Sequence, residues 1–166
     1  LEIDSASGPD GFGAGFYQAC WPVIQNELLE AVHDFFKGAP QPRGFSSALI
    51  VLIPKVPGVT KWQEFRPISL CNLSSKIISK VLTNRLNHLL PKLISPWQAG
   101  FVAGRSITDN ILVAQELAMD IDRKLRCLNL ILQLDMEKAY DRVEWSFLIF
   151  MLRKFGFHEE VVDLLL

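Results

Sequence analysis

Cysteine is scarce in this chain: three in 166 residues, at positions 20, 71 and 127, with no CxxC pair. That excludes a disulfide scaffold and a zinc ribbon, and reads as buried thiols in a reducing compartment. The three histidines, at 33, 88 and 158, are scattered and outline no metal site. No apolar run approaches the ~20 residues of a membrane span, and no signal-peptide pattern is visible. Internal repeats and low-complexity linkers are absent. Charge is missing by region as well. Residues 1–36 hold six acids and no Lys or Arg, and residues 37–107 hold ten bases and one acid, Glu64.

What is present is the composition of a folded domain. Hydrophobic residues make up 49% of the chain, which excludes a disordered tail. A chain of this length is expected to bury roughly 68–70% of its unfolded surface, enough for one core. The formal net charge of −1 conceals three blocks: −6 over 1–36, +9 over 37–107, and −4 over 108–166, where seven bases meet eleven acids. The middle block is a candidate nucleic-acid surface. Both ends read as cut. The first residue is Leu1, and 159–166 reads as an amphipathic helix ending in three leucines without a cap. Either this is an exposed apolar patch of a larger catalytic unit, or it is a terminus docked on its own core.

Along the chain, Gly8-Pro9-Asp10-Gly11 is turn chemistry. A helical stretch follows, broken at Pro22 and running to about 36. The aliphatic run 47–54, closed by Pro54, reads as a strand, and 65–70 reads as its antiparallel partner. The connection from 55 to 64 is longer than an ordinary hairpin loop, which points to function. Residues 74–90 repeat apolar side chains at helical spacing, with Lys76 and Lys80 on the opposite face. Arg85 falls inside the apolar arc, either with its stem snorkelling or with its guanidinium aimed at a phosphate. Ser106 and Asp109 resemble a capping box opening a helix to about 125. Alternation over 128–136 reads as a second strand with Asp135 at its end, and 144–155 reads as a further amphipathic helix.

The densest chemistry lies in Asp135-Met136-Glu137-Lys138-Ala139-Tyr140-Asp141-Arg142. A carboxylate at a strand end is a hard ligand suited to Mg²⁺. From spacing alone, Asp135 could equally pair with Lys138 or Arg142. A third possibility, a small α/β phosphoryl-transfer enzyme, needs a second carboxylate such as Asp141 or Glu144 beside it.

This stretch through Trp145 resembles the first catalytic palm motif of reverse transcriptases of non-LTR (LINE-type) retrotransposons. Four other stretches match in order: Gly8 to Phe12, Ala48 to Lys55, Phe65 to Leu70 with Ser75 to Ile77, and Gln98 to Phe101 with Gly104-Arg105 and Asp109 to Ile111. The resemblance covers 8–157. It implies an α+β (mixed α/β), helix-rich part of a right-hand polymerase: fingers with a short antiparallel hairpin, and an incomplete palm with one palm strand. N-terminal helices and fingers would occupy 1–127, and the palm would begin at 128–166.

The same resemblance implies roles. Asp135 and the Met136 carbonyl would hold Mg²⁺, two ions in the complete enzyme, for template-directed dNTP transfer. Tyr140 would be an aromatic gate against a 2′-hydroxyl, where plain core packing is the alternative. Lys55 and Arg66 would contact the triphosphate, or else be solvated edge-strand charges. Lys76, Lys80, Arg85, Gln98, Phe101 and Arg105 would lie along an RNA template with its DNA primer. Trp62 could stack on a base or anchor its loop. Partners would include the rest of a polyprotein: the remaining palm, a thumb and an endonuclease. By family analogy the protein would be intracellular and nuclear, though no localisation signal is visible, and no membrane partner is expected. The sequence departs from the family in one respect. It contains no Asp-Asp pair and no Gln-Gly motif before one, so the chain alone is expected to be inactive. The competing function is a catalytically dead remnant that at most binds nucleic acid.

Overall fold

The computed structural model describes residues 2, 3, 5–119, 121, 123, 129–136 and 138–166. Their elements, in chain order, are α1 (Ala14–Ala19), α2 (Trp21–Phe36), β1 (Ala48–Pro54), β2 (Phe65–Cys71), α3 (Leu73–Asn87), α4 (Leu90–Leu93), α5 (Ile107–Met119), α6 (Ala139–Arg142), α7 (Trp145–Lys154) and α8 (Glu159–Leu165), with a single 3₁₀ turn at Trp62–Glu64. None of the described helices is long and apolar enough to cross a membrane. The helix-rich α+β reading holds in its coarse form: helices dominate, and β1 and β2 make one two-stranded antiparallel sheet.

The break in the N-terminal helical stretch falls at Cys20 rather than Pro22. Pro22 sits in the first turn of α2, where its missing N–H costs no hydrogen bond. α3 begins one residue earlier than its apolar repeat suggests, α5 is described from Ile107 to Met119, and residues 120, 122, 124 and 125 of the helix expected to run to about 125 lie outside the described residues. At the start of α5, the Ser106 hydroxyl accepts the Thr108 amide at 3.2 Å, an N-cap bond one residue short of a full capping box.

The hairpin register pairs Ala48 with Cys71, Val51 with Ile68, Ile53 with Arg66 and Pro54 with Phe65. The Lys55 amide donates to the Glu64 carbonyl at 2.8 Å, which extends the ladder by one pair. Antiparallel ladders alternate hydrogen-bonded and open pairs. Counting from 55/64, the bonded pairs are 53/66, 51/68 and 49/70. Both prolines, 54 and 67, therefore fall at open pairs, where a missing N–H costs nothing. The long connection is held by Glu64, whose carboxylate accepts the Thr60 and Lys61 amides, both at 3.1 Å.

The expected palm strand is not formed. Residues 129–136 are irregular, and Leu128 lies outside the described residues. Leu130, Leu132, Leu134 and Met136, the side chains assigned to one packed face, are all exposed, Leu130 to 83%. A strand is stabilised by a neighbour that completes its ladder and covers its apolar face. Among the described residues β1 and β2 pair only with each other.

The chain divides into two compact units, Leu1–Thr83 and Asn84–Leu166. Among the described residues, each unit holds its own small set of buried apolar side chains where chain length led us to expect one core. Ala14, Leu73 and Ile78 are buried in the first unit, and Ala99, Val102 and Val162 in the second. Units of about eighty residues bury a smaller share of their surface than one domain of twice the length. The cysteines follow suit: Cys20 and Cys71 are free thiols, half-buried rather than buried, and Cys127 lies outside the described residues. At the C-terminal end, α8 docks on α7. Val162 is buried and Leu164 and Leu165 are half-buried, leaving Leu166 exposed.

Candidate nucleotide and nucleic-acid site

In the first unit, the turn at 8–12 is built by three backbone features. The Gly11 amide donates to the Gly8 carbonyl at 3.0 Å, Gly11 takes a positive φ of 77°, and the Asp10 carboxylate accepts the Phe12 amide at 3.0 Å. Gly8 is buried against the end of β2, where a Cβ would lie 2.4 Å from the Asn72 amide nitrogen. Asn72, itself buried, clamps the region. Its Oδ1 accepts the Asp10 amide at 3.2 Å, and its Nδ2 donates to the Gly44 carbonyl at 3.0 Å. This residue escapes the sequence reading. Its one visible signal is an Asn immediately before a helix, which suggests a cap rather than a tie between three segments.

On that scaffold, Lys55 and Arg66 stand at the loop end of the hairpin, and both are exposed. The Lys55 ammonium donates to the Gln63 carbonyl at 2.8 Å, which keeps two of its three N–H groups available. Arg66 faces Ile53 across a bonded pair. Trp62 is 78% exposed, its ring 6.3 Å from that of Phe65. It is therefore not an anchor buried under the loop.

Lys76 and Lys80 line one face of α3 with Cys71, Ser75, Ser79 and Thr83, around a groove of about 360 Å³. Lys76 also donates to the Ala6 carbonyl at 3.1 Å. A second pocket in this unit, about 350 Å³, is apolar and lined by Ala14, Tyr17, Trp21, Leu28, Leu73 and Ile77 among others. Burial, reinforced by nearby Asp10, pushes the Tyr17 phenol above its usual value, against a hydrogen bond with Ser74. None of the sequence-derived candidates lines it.

The second unit holds the others. Arg85 is exposed on α3. Gln98, Phe101 and Arg105 belong to one loop between α4 and α5. The Arg105 guanidinium donates to four main-chain carbonyls: Ser95 at 2.5 Å, Gln98 at 2.7 Å, Ile94 at 3.1 Å and Pro91 at 3.2 Å. Both of its terminal nitrogens are thus engaged within the chain. The Gln98 amide group donates to the Gly100 carbonyl at 3.3 Å.

Asp135 and Met136 lie in the irregular stretch before α6, with their side chains exposed, and Lys138 adopts a left-handed φ of 52° at the start of that helix. Tyr140 is 83% exposed, which removes core packing as its role. Mg²⁺ takes one or two carboxylates with waters and phosphates, and two-ion sites need shared carboxylates. Among the described residues no three His, Cys, Asp or Glu side chains converge. The described residues therefore do not by themselves make a two-ion centre around Asp135.

The family model of reverse transcriptase (RNA-dependent DNA polymerase) matches residues 53–166. The chain belongs to the reverse transcriptase family. Its relatives within that family are proteins of non-LTR elements. It is 30% identical over 162 residues, 98% of this chain, to the 149 kDa protein of transposon TX1 from Xenopus laevis, of which it spans 12%. It is 25% identical over 150 residues, 90% of this chain, to the Pol polyprotein of the type-1 retrotransposable element R2 from Nasonia vitripennis, of which it spans 14%. It is similarly 25% identical to the R2DM Pol polyprotein of Drosophila melanogaster, over 98% of this chain and 15% of that protein. The chain thus spans about a seventh or less of the length of these relatives.

Proposed function

We propose that this chain forms the fingers and the first palm motif of an RNA-directed DNA polymerase, within 1–127 and from 128 onward respectively, in a right-hand polymerase architecture. One observation carries the reading. The family match, 53–166, runs from the end of β1 through β2 and α3 to the Asp135 stretch, and its 53–107 portion holds eight bases and one acid, so positive charge is concentrated in the segment that would meet a template.

In this reading the chain's own residues bind and orient. Lys55, with two free N–H groups, and Arg66, with a planar fork, would take triphosphate oxygens. Lys76 and Lys80 would take backbone phosphates in the groove along α3, and Arg85 a further one. Gln98 and Phe101 would lie near the template, and Tyr140 under the incoming sugar. Asp135 and the Met136 carbonyl would supply one wall of an Mg²⁺ site, whose ions supply nucleophile activation and leaving-group stabilisation in such enzymes. The remaining carboxylates belong to an Asp-Asp motif that this sequence does not contain, so the chain alone binds RNA without copying it.

Primer extension on an RNA template with a DNA primer, dNTPs and Mg²⁺ tests this. The chain by itself is expected to incorporate no dNTP. In a polyprotein that carries it, Asp135→Asn is expected to abolish incorporation while leaving RNA affinity unchanged. Incorporation by the chain alone that is lost on Asp135→Ala overturns the division of labour. Full activity of the Asp135→Asn polyprotein overturns the assignment of Asp135.

A further inference from the structure

Phe101 is an anomaly. It has a positive φ of 62°, a backbone region that a bulky side chain with a Cβ rarely enters. Strain of that kind is ordinarily offset by burial, yet Phe101 is 91% exposed. Its neighbours do the packing: Ala99 and Val102, on either side, are each only 7% exposed. The ring is therefore turned out of a loop whose flanks are pinned inward.

The loop is also over-determined. The Gln98 amide donates to Ser95 at 3.0 Å, the Val102 amide to Ala99 at 3.5 Å and the Arg105 amide to Val102 at 3.3 Å. Asn110 holds the Trp97 carbonyl at 2.8 Å. Above all, the four carbonyl bonds of Arg105 gather the end of α4 and the start of the loop on one guanidinium. With both terminal nitrogens committed, Arg105 keeps its positive charge but little capacity to grip a phosphate. It acts on the loop instead.

The surroundings say what a presented ring would meet. Residues 84–107 contain three bases and no acid, so this stretch itself carries positive charge. Gln98, Gly100, Ala103 and Gly104 beside the ring are polar or small. The loop's other large exposed side chain is itself a flat ring, Trp97 at 75%, and the exposure of Phe101 leaves its ring accessible. An anionic strand with flat, unpaired bases fits that combination.

We propose that Phe101 is a preset stacking platform for an unpaired base of single-stranded RNA, and that Arg105 is its positioning residue rather than a phosphate contact. The proposal rests on the RNA-binding reading above and adds which chemical group of the strand is touched.

Anisotropy with a labelled single-stranded RNA of about 16 nucleotides, beside an abasic ribose-phosphate strand of equal length, tests it. Phe101→Gly is expected to weaken RNA binding about 5- to 150-fold, to leave abasic binding unchanged, and to raise Tm, because glycine adopts positive φ without strain. Phe101→Trp keeps the affinity. Arg105→Lys is expected to weaken RNA binding with the salt slope unchanged, and to add no further loss in the Phe101→Gly background. Equal RNA affinity for wild type and Phe101→Gly overturns the stacking role, as does equal wild-type affinity for the RNA and abasic strands. A slope reduced by about 0.7 in Arg105→Lys makes Arg105 a direct phosphate contact and overturns the positioning role. Failure of the wild-type chain to bind either strand removes the RNA reading itself.

Discussion

Two apolar stretches of similar make-up meet different fates. Residues 48–54 pair with 65–71 and form a hairpin, whereas residues 129–136 remain irregular with their leucines in solvent. Propensity does not separate them, because both are rich in Leu and Ile. A partner does. The first stretch meets its complement ten residues later, and the Glu64 carboxylate holds the connection by accepting two amides. The second has no strand beside it among the described residues. A strand is therefore a property of a pair, and an alternating sequence specifies only a face that some neighbour must cover.

Proline substitution separates the two cases in graded steps. Val51→Pro removes an amide that points into the ladder, and is expected to cost about 1–3 kcal/mol in a urea titration. Ile50→Pro occupies an open pair, like Pro54 and Pro67, and is expected to cost less than about 1 kcal/mol. Leu132→Pro has no ladder to break, and should stay within about 0.5 kcal/mol of wild type. Equal losses at 51 and 132 would mean that the second stretch is paired as well.

The smallest effect concerns pH. Arg153 grips Glu159 through two bonds, of 2.8 and 2.7 Å, tying α7 to the start of α8. That hydrogen bonding holds the Glu159 carboxyl below its ordinary value, against desolvation. A lowered carboxyl pKa contributes stability that is present above the unfolded value and lost as pH falls through the folded one. The pair is fully exposed, so the gain is small and screened. Amide exchange in α8 should quicken as pH falls through the carboxylate range, after correction for intrinsic rates. Arg153→Met should remove that acid limb.

Much of the fold was legible where the signal is local. The hairpin, α2, α3 and α7 follow from apolar spacing, turn residues and proline positions, each decided within about twenty residues. The site was legible as chemistry rather than as geometry. Arg66, Lys76 and Lys80 sit on the elements expected of them and Lys55 one residue beyond β1, but spacing could not reveal that Arg105 spends its donors on four carbonyls, because that depends on how a loop closes around it. Asn72 was invisible for the same reason: its partners lie 62 and 28 residues away. The 128–136 reading failed because alternation carries no information about whether a neighbouring strand is present.

Asn72 and Arg105 share a trait with a practical consequence. Each organises its unit through amides and carbonyls, with no carboxylate partner in those bonds. Mobile ions weaken charge pairs across water far more than short bonds to peptide dipoles. If the proposed function holds, nucleic acid held by the lysines should be released as salt is added, while the framework that displays those lysines stays intact. Under that proposal ionic strength is a dial that turns capture off without turning the fold off, and a protein stripped by brine should regain its grip on simple dilution.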